Sequence, residues 1–347
     1  GERRDGELAP LTKDSLVFKG DIRRGLEGAH VYKIDGYYFL YCTYGGRDGI
    51  QVALRSKSIY GPYEQKIVLS DTTKGVNFGV HQGALIKTLT GEWWTMLFVD
   101  SGPFGRFPSL HPVTWVDGWP IAGVDGRGVV RYKKPDVGKE YPVKDLPTSD
   151  EFSGSHLGMQ WGWNHNPDTM NWSFTHNPGY LRLYTGKIVN NLTEAPNTLT
   201  QRPFASYDPL VPTIAAIKID LKNMKEGDIA GLAVFQNPYA YIGVKKGKNT
   251  DQVIMVNNGK QIDSVAIKNQ VIYLRTISSN STTLADFSYS SDNKIFFPLG
   301  NSLEMKFSLS IFTGNKFCLF NYATQITGGY AEFDWFRTGF AGPGDLR

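Results

Sequence analysis

The chain has 347 residues and a net charge of +4, with no run of Lys or Arg and no basic amphipathic helix, which argues against a nucleic acid partner. No run of 18 apolar residues exists, so no membrane span is expected, and the length suits two domains better than one. The 38 Gly and 18 Pro fit a turn-rich all-β protein. The 8 Trp and 18 Tyr supply rings of the kind that stack on sugars, although sheets use the same residues.

Residues 1 to about 20 are polar apart from Leu16-Val17-Phe18 and read as the tail of a preceding unit. The stretch Leu26-Glu27-Gly28-Ala29-His30-Val31-Tyr32-Lys33-Ile34-Asp35-Gly36-Tyr37-Tyr38-Phe39-Leu40 follows. Asp-Gly between two strand-like runs predicts a hairpin. A carboxylate beside a glycine at the mouth of a strand can reach a ligand; taken alone, Glu27 reads as a solvated residue ahead of a strand. A second copy changes that reading. It comprises Gln82-Gly83-Ala84, Leu85-Ile86-Lys87, Thr90-Gly91-Glu92 and Trp93-Trp94-Thr95-Met96-Leu97-Phe98. Gly28 and Gly83 are 55 positions apart.

Each copy continues with further strand-like runs. Gln51-Val52-Ala53-Leu54-Arg55 and Tyr63–Leu69 follow the first; His111-Pro112-Val113-Thr114-Trp115 and the turn Asp117-Gly118 follow the second. Repeats of about 40–50 residues with four short strands each mark a β-propeller. Residues from about 21 to 70 and from about 76 to 123 make two blades. Glu27 and Gln82 are equivalent, each at the start of an innermost strand. A propeller needs about four blades or more, so another polypeptide or upstream sequence is expected to supply the rest.

Residues 125–148 are rich in Gly, Lys and Pro and read as a linker. From Ser149 short alternating runs continue to the end, among them 180–184, 229–235, 240–244, 271–276, 304–312 and 331–336. They suit a jelly-roll-like β-sandwich over 149–347. Cys42 and Cys318 each lie in an apolar strand of a different domain and read as buried free thiols. No signal peptide is visible, and the chain opens abruptly, as a processed or incomplete chain would. The sequons at Asn171, Asn191 and Asn280 matter only in a secreting eukaryote.

The first block, Leu26–Lys33 with Gly36-Tyr37-Tyr38, resembles the general-acid motif of glycoside hydrolase family 43. His81-Gln82-Gly83 with Gly91-Glu92-Trp93-Trp94, and Gly105-Arg106 followed by His111–Pro120, resemble its next blocks. Trp161–Pro167 and Pro178–Arg182 resemble the β-sandwich appended to xylosidase-type members. The resemblance spans nearly the whole chain. It implies part of a five-bladed propeller (1–124) followed by the sandwich, and an exo-acting, inverting hydrolase of β-xylosides or α-L-arabinofuranosides. The implied substrate is a xylo- or arabino-oligosaccharide derived from xylan.

The resemblance also assigns roles. Glu27 matches the general acid. The family's base Asp and its second, acid-tuning Asp belong to earlier blades; Asp21, Asp100 and Asp117 do not match them. His81 resembles a histidine near the channel axis that contacts a metal, often calcium, or organises the site; a buried structural His is the plainer reading. Arg106 resembles an arginine that hydrogen-bonds sugar hydroxyls, and Gln82, next to His81, is a candidate substrate-binding residue. Phe78, Phe104 and Phe107 are candidate subsite walls or blade packing. In the sandwich, Glu151 and Asp334 resemble a pair that binds a structural calcium. Trp161, Trp163 and Trp172 read as core rather than as a separate carbohydrate site. The rival to an enzyme is a non-catalytic, carbohydrate-binding part-propeller. A third expectation is a site shared between two polypeptides.

Overall fold

Asp35 and Gly36 both take positive φ, 47° and 75°, and so close the hairpin that Asp-Gly predicts. The computed structural model describes residues 2–4, 7–9, 15–22, 25–46, 48–70, 79–142, 148–203, 210–308 and 313–342. Strands β1 (Glu2–Arg4) and β2 (Glu7–Ala9) form a two-stranded sheet. The first repeat folds as β3 (Leu26–Ile34), β4 (Tyr37–Tyr44), β5 (Ile50–Ser56) and β6 (Glu64–Leu69), antiparallel and in that order. The second folds as β7 (His81–Lys87), β8 (Trp93–Asp100), β9 (Arg106–Val116) and β10 (Trp119–Ala122), again in order. These are two four-stranded propeller blades. Tyr41, Ala53 and Val68 of one pack in a single cluster with Leu85, Leu97 and Val113 of the other. Asp117 lies in the turn between β9 and β10 at φ 52°.

The chain divides into two units, residues 1–101 with 106–142 and residues 143–347 with 102–105. The segment predicted as a linker from 125 therefore belongs to the first unit as far as Pro142. Glu92 explains why. Its carboxylate accepts from Lys133 Nζ (2.7 Å), the Asp136 N–H (2.9 Å) and Trp94 Nε1 (3.0 Å). Tyr132 packs edge-on against Trp94 at 5.8 Å, and the Val129 N–H donates to His111 Nδ1 at 3.0 Å. A Gly-, Lys- and Pro-rich composition reads as flexible, but these contacts with β8 and β9 hold it.

The second unit is a sandwich of a seven-stranded and an eight-stranded antiparallel sheet. Its final strand, Tyr330–Phe340, is longer than the predicted 331–336 and pairs with Leu181–Tyr184 on one side and Thr213–Asp220 on the other. The predicted strand over 304–312 does not form as one run. Leu303–Glu304 pairs with Leu284–Ala285, Met305 is buried, and Phe307 is exposed; residues 309–312 lie outside the described ones. The period of two is present locally, and among the described residues 303–308 Leu303 and Met305 are buried. Trp161 is buried against Phe152 and Phe336, and Trp163 packs on Trp172 at 5.2 Å. Cys42 and Cys318 are both free and buried, as predicted. Among the described residues no helix is long and apolar enough to cross a membrane.

Candidate active site

Both blades open on a β-bulge. The register of β3 on β4 shifts between Glu27 and His30, and that of β7 on β8 between His81 and Ala84. A bulge at a strand end re-aims the side chains beside it. Gly28 sits at φ 64° and Gln82, its neighbour across the blades, at φ 56°. A Cβ on Gly28 would stand 2.8 Å from Cγ of Gln82, so glycine is needed there twice over, for conformation and for room. Glu27 is exposed, and its Oε1 lies over Gly45, where a methyl group would overlap it.

His81 is fully buried. Its Nδ1 meets the Gly79 carbonyl, so Nδ1 carries the proton. Its ring packs on Phe98 at 4.6 Å. Burial is the main influence on its pKa and lowers it; the Gly79 carbonyl, Asp100 and Glu27 push it up, and Arg106 pushes it down. The ring is a neutral imidazole near pH 7. Its Nε2 is buried with no hydrogen-bond partner among the described residues. Arg106, opposite Asp100 across β8 and β9, donates from Nε to Asp100 Oδ1 at 3.1 Å, and its guanidinium lies 4.2 Å from the Phe98 ring centre. The structure thus brings Glu27, His81, Gln82 and Arg106 to neighbouring strand ends of one unit.

Two members of this group were not singled out from the sequence. Asp100, which does not match the base, holds Arg106. Its signal was its place at a strand end, six residues before Arg106 across the Gly102–Phe104 turn. Gln51 accepts the Gln82 N–H at 2.8 Å, and nothing in its own strand announces that role. Phe78 lies outside the described residues. Phe104 is buried and grouped with the second unit. Asp21 accepts from Gln65 Nε2 at 2.5 Å.

The metal expectations meet a poor donor set. Calcium takes about six to eight oxygen ligands. Among the described residues no three His, Cys, Asp or Glu side chains cluster to hold a metal. His81 offers one orphaned nitrogen, the wrong donor for calcium. Glu151 is occupied by Arg337 (Nε to Oε1, 2.8 Å; Nη2 to Oε2, 3.0 Å) and Asp334 by Lys218 Nζ (2.5 Å). These side chains are arranged as ion pairs and do not fit a calcium site, and no chemical step below runs through one.

Chemically, the group offers an exposed carboxyl at a strand mouth, a fixed guanidinium for hydroxyls, an amide and a neutral imidazole. The model of glycosyl hydrolases family 43 matches residues 11–120, and that of the β-xylosidase C-terminal concanavalin A-like domain matches 149–338. A β-xylosidase of Formosa agariphila is 35% identical over 96% of this chain and 62% of its own length. A non-reducing end α-L-arabinofuranosidase of Bacteroides ovatus is 32% identical over 60% of this chain and 41% of its own length. The solved structure of a bifunctional GH43-CE protein of Bacteroides eggerthii superposes with a TM-score of 0.80 at 36% identity, over 91% of this chain and 41% of its own. The chain spans 62% and 54% of the first two curated relatives it matches. With both of its units matched in order, the chain belongs to glycosyl hydrolase family 43.

Proposed function

We propose that this chain carries the acid side of the active site of an exo-acting pentosidase that removes terminal β-D-xylosyl or α-L-arabinofuranosyl groups from xylan-derived oligosaccharides. One observation supports this above the others: the bulges that open the two blades interlock beside the exposed Glu27, with Gln82 against Gly28, and the Phe98 ring packs on both His81 and Arg106. Glu27 protonates the leaving oxygen. Arg106, held by Asp100, receives sugar hydroxyls, and Gln82 and His81 border the same position. In an inverting hydrolase an ionised carboxylate activates water on the opposite face of the sugar, about 6.5–9.5 Å from the acid. The family resemblance puts that base on an earlier blade, and Asp100 is engaged with Arg106; we assign the base to polypeptide outside residues 1–347. A second polypeptide and a single longer one are both compatible with that assignment.

The test pairs the intact mass of the purified material, under denaturing conditions, with release of 4-nitrophenol from nitrophenyl β-D-xyloside and α-L-arabinofuranoside and turnover of xylobiose. Activity is expected where propeller polypeptide beyond this chain is present. There Glu27→Ala is expected to lower xylobiose turnover by about 10²–10⁴-fold, the usual share of a general acid. Hydrolysis by a single species of this chain's mass alone would sink the outside-base assignment. An inactive preparation that still binds xylo-oligosaccharides would favour a binding module.

A further inference from the structure

We propose that Gln51 is a positioning residue for the general acid: it locks the backbone of Gln82, and through it the bulge that presents Glu27. The inference rests on the reading of Glu27 as the acid.

The register places Gln51 in line with Glu27. Glu27 pairs with Thr43, Thr43 pairs with Gln51, and Gln51 pairs with Leu69 across the first blade. Directly paired residues point to the same face of a sheet. Glu27, Thr43 and Gln51 therefore form one row. Thr43 and Gln51 are fully buried, and the Thr43 hydroxyl donates to the Ile50 carbonyl at 2.8 Å. Gln51 carries the row to the second blade through the Gln82 N–H.

Gln82 has a conformation that a side chain other than glycine disfavours, φ 56°. It also lies within the bulge, where its N–H is out of the regular ladder with β8. Both difficulties meet one answer. The Gln51 Oε1 accepts that N–H at 2.8 Å, across 31 residues of sequence. A backbone held in a sparsely populated region needs surroundings that over-determine it, and Gln51 supplies them from the neighbouring blade. So fixed, the Gln82 side chain lies in the space that Gly28 leaves open, with Cγ 2.8 Å from where a Cβ of Gly28 would stand. Gly28 is the residue after Glu27. The two bulges interlock, and the amide of Gln51 is the clasp. An acid out of line by an ångström transfers its proton poorly, so loosening the clasp acts first on the acid step.

The test is the dependence on leaving group. Xylobiose needs a protonated leaving oxygen; 2,4-dinitrophenyl β-D-xyloside leaves without one. In the intact enzyme, Gln51→Met keeps the length and removes the acceptor. Its kcat on xylobiose is expected to fall about 10–100-fold, with KM little changed and with dinitrophenyl xyloside hydrolysis within about threefold of the parent. Gln51→Asn, an amide one methylene too short, is expected to show the same selectivity if the Met variant does not fold. An equal loss on both substrates, or no loss on either, would overturn the proposal. If the parent enzyme hydrolyses no pentoside, the acid reading itself fails. The clasp is then read from a crystal structure of Gln51→Met: a relaxed Gln82 φ with a displaced Glu27 supports it, and an unmoved pair refutes it.

Discussion

Arg106 and Asp100 face each other across β8 and β9, the Nε–Oδ1 hydrogen bond spanning 3.1 Å with both side chains largely buried. A guanidinium held on one edge keeps its remaining N–H groups aimed in one direction. Asp100→Asn is expected to loosen that aim. A hydrogen bond to a charged group is worth about 1.5–3 kcal/mol, so KM for xylobiose should rise about tenfold or more, with a smaller change in kcat. Steady-state kinetics check it; an unchanged KM would show that Arg106 does not bind the sugar.

Gly45 makes room for the Glu27 carboxylate. A methyl there would overlap Oε1 of Glu27, the far end of a flexible side chain. Gly45→Ala should therefore fold normally, with a melting temperature close to that of the parent, and lose activity. A displacement of about an ångström can cost about 10²-fold. Calorimetry and xylobiose turnover, measured on the same preparation, separate the two effects.

Two buried groups make stability depend on pH, each in its own unit. Asp228 in the sandwich is fully buried, and burial pushes its carboxyl up to about 6, against the Lys225 N–H and Thr185 hydroxyl bonds that pull it down. The folded state then holds a proton that the unfolded chain gives up near pH 4. Its stabilising contribution is full below that pH and is lost as pH rises to about 6. Asp228→Asn should thus stabilise the sandwich at pH 8, by roughly 1–3 kcal/mol, and do little at pH 4. His81 works the other way. Its pKa is lowered by burial, so the unfolded chain takes up the proton first and the first unit loses stability as pH falls below about 6.5. Urea unfolding of Asp228→Asn and His81→Asn at pH 4, 6 and 8 reads both signs.

The stereochemistry of the proposed reaction is open to direct observation. Attack by water with Glu27 as acid inverts the anomeric centre. Proton NMR during hydrolysis of a β-D-xyloside should show α-xylose forming first, before mutarotation. First appearance of β-xylose would replace the outside base with a nucleophile.

The two blades were legible because a propeller repeats its own logic locally. Asp35-Gly36, the aromatic runs and the doubled Glu27-Gly28-Ala29 and Gln82-Gly83-Ala84 motif carry turn geometry and period two within about 50 residues each. The same motif carries the expectations for Glu27 and Arg106. Residues 125–142 were misread as a linker because composition measures flexibility in isolation, while Glu92 holds Lys133 and Asp136 across 41 and 44 residues. The grip of Gln51 on Gln82 and the commitment of Glu151 and Asp334 to Arg337 and Lys218 join segments far apart in the sequence. No local pattern encodes which strand lies beside which, so these contacts exist only once the sheets are assembled. Local sequence carried the blade strands, their turns and the carboxylate at the mouth of the first blade; the assembled sheets chose that carboxylate's neighbours, because hydrogen bonds and ion pairs depend on proximity in space.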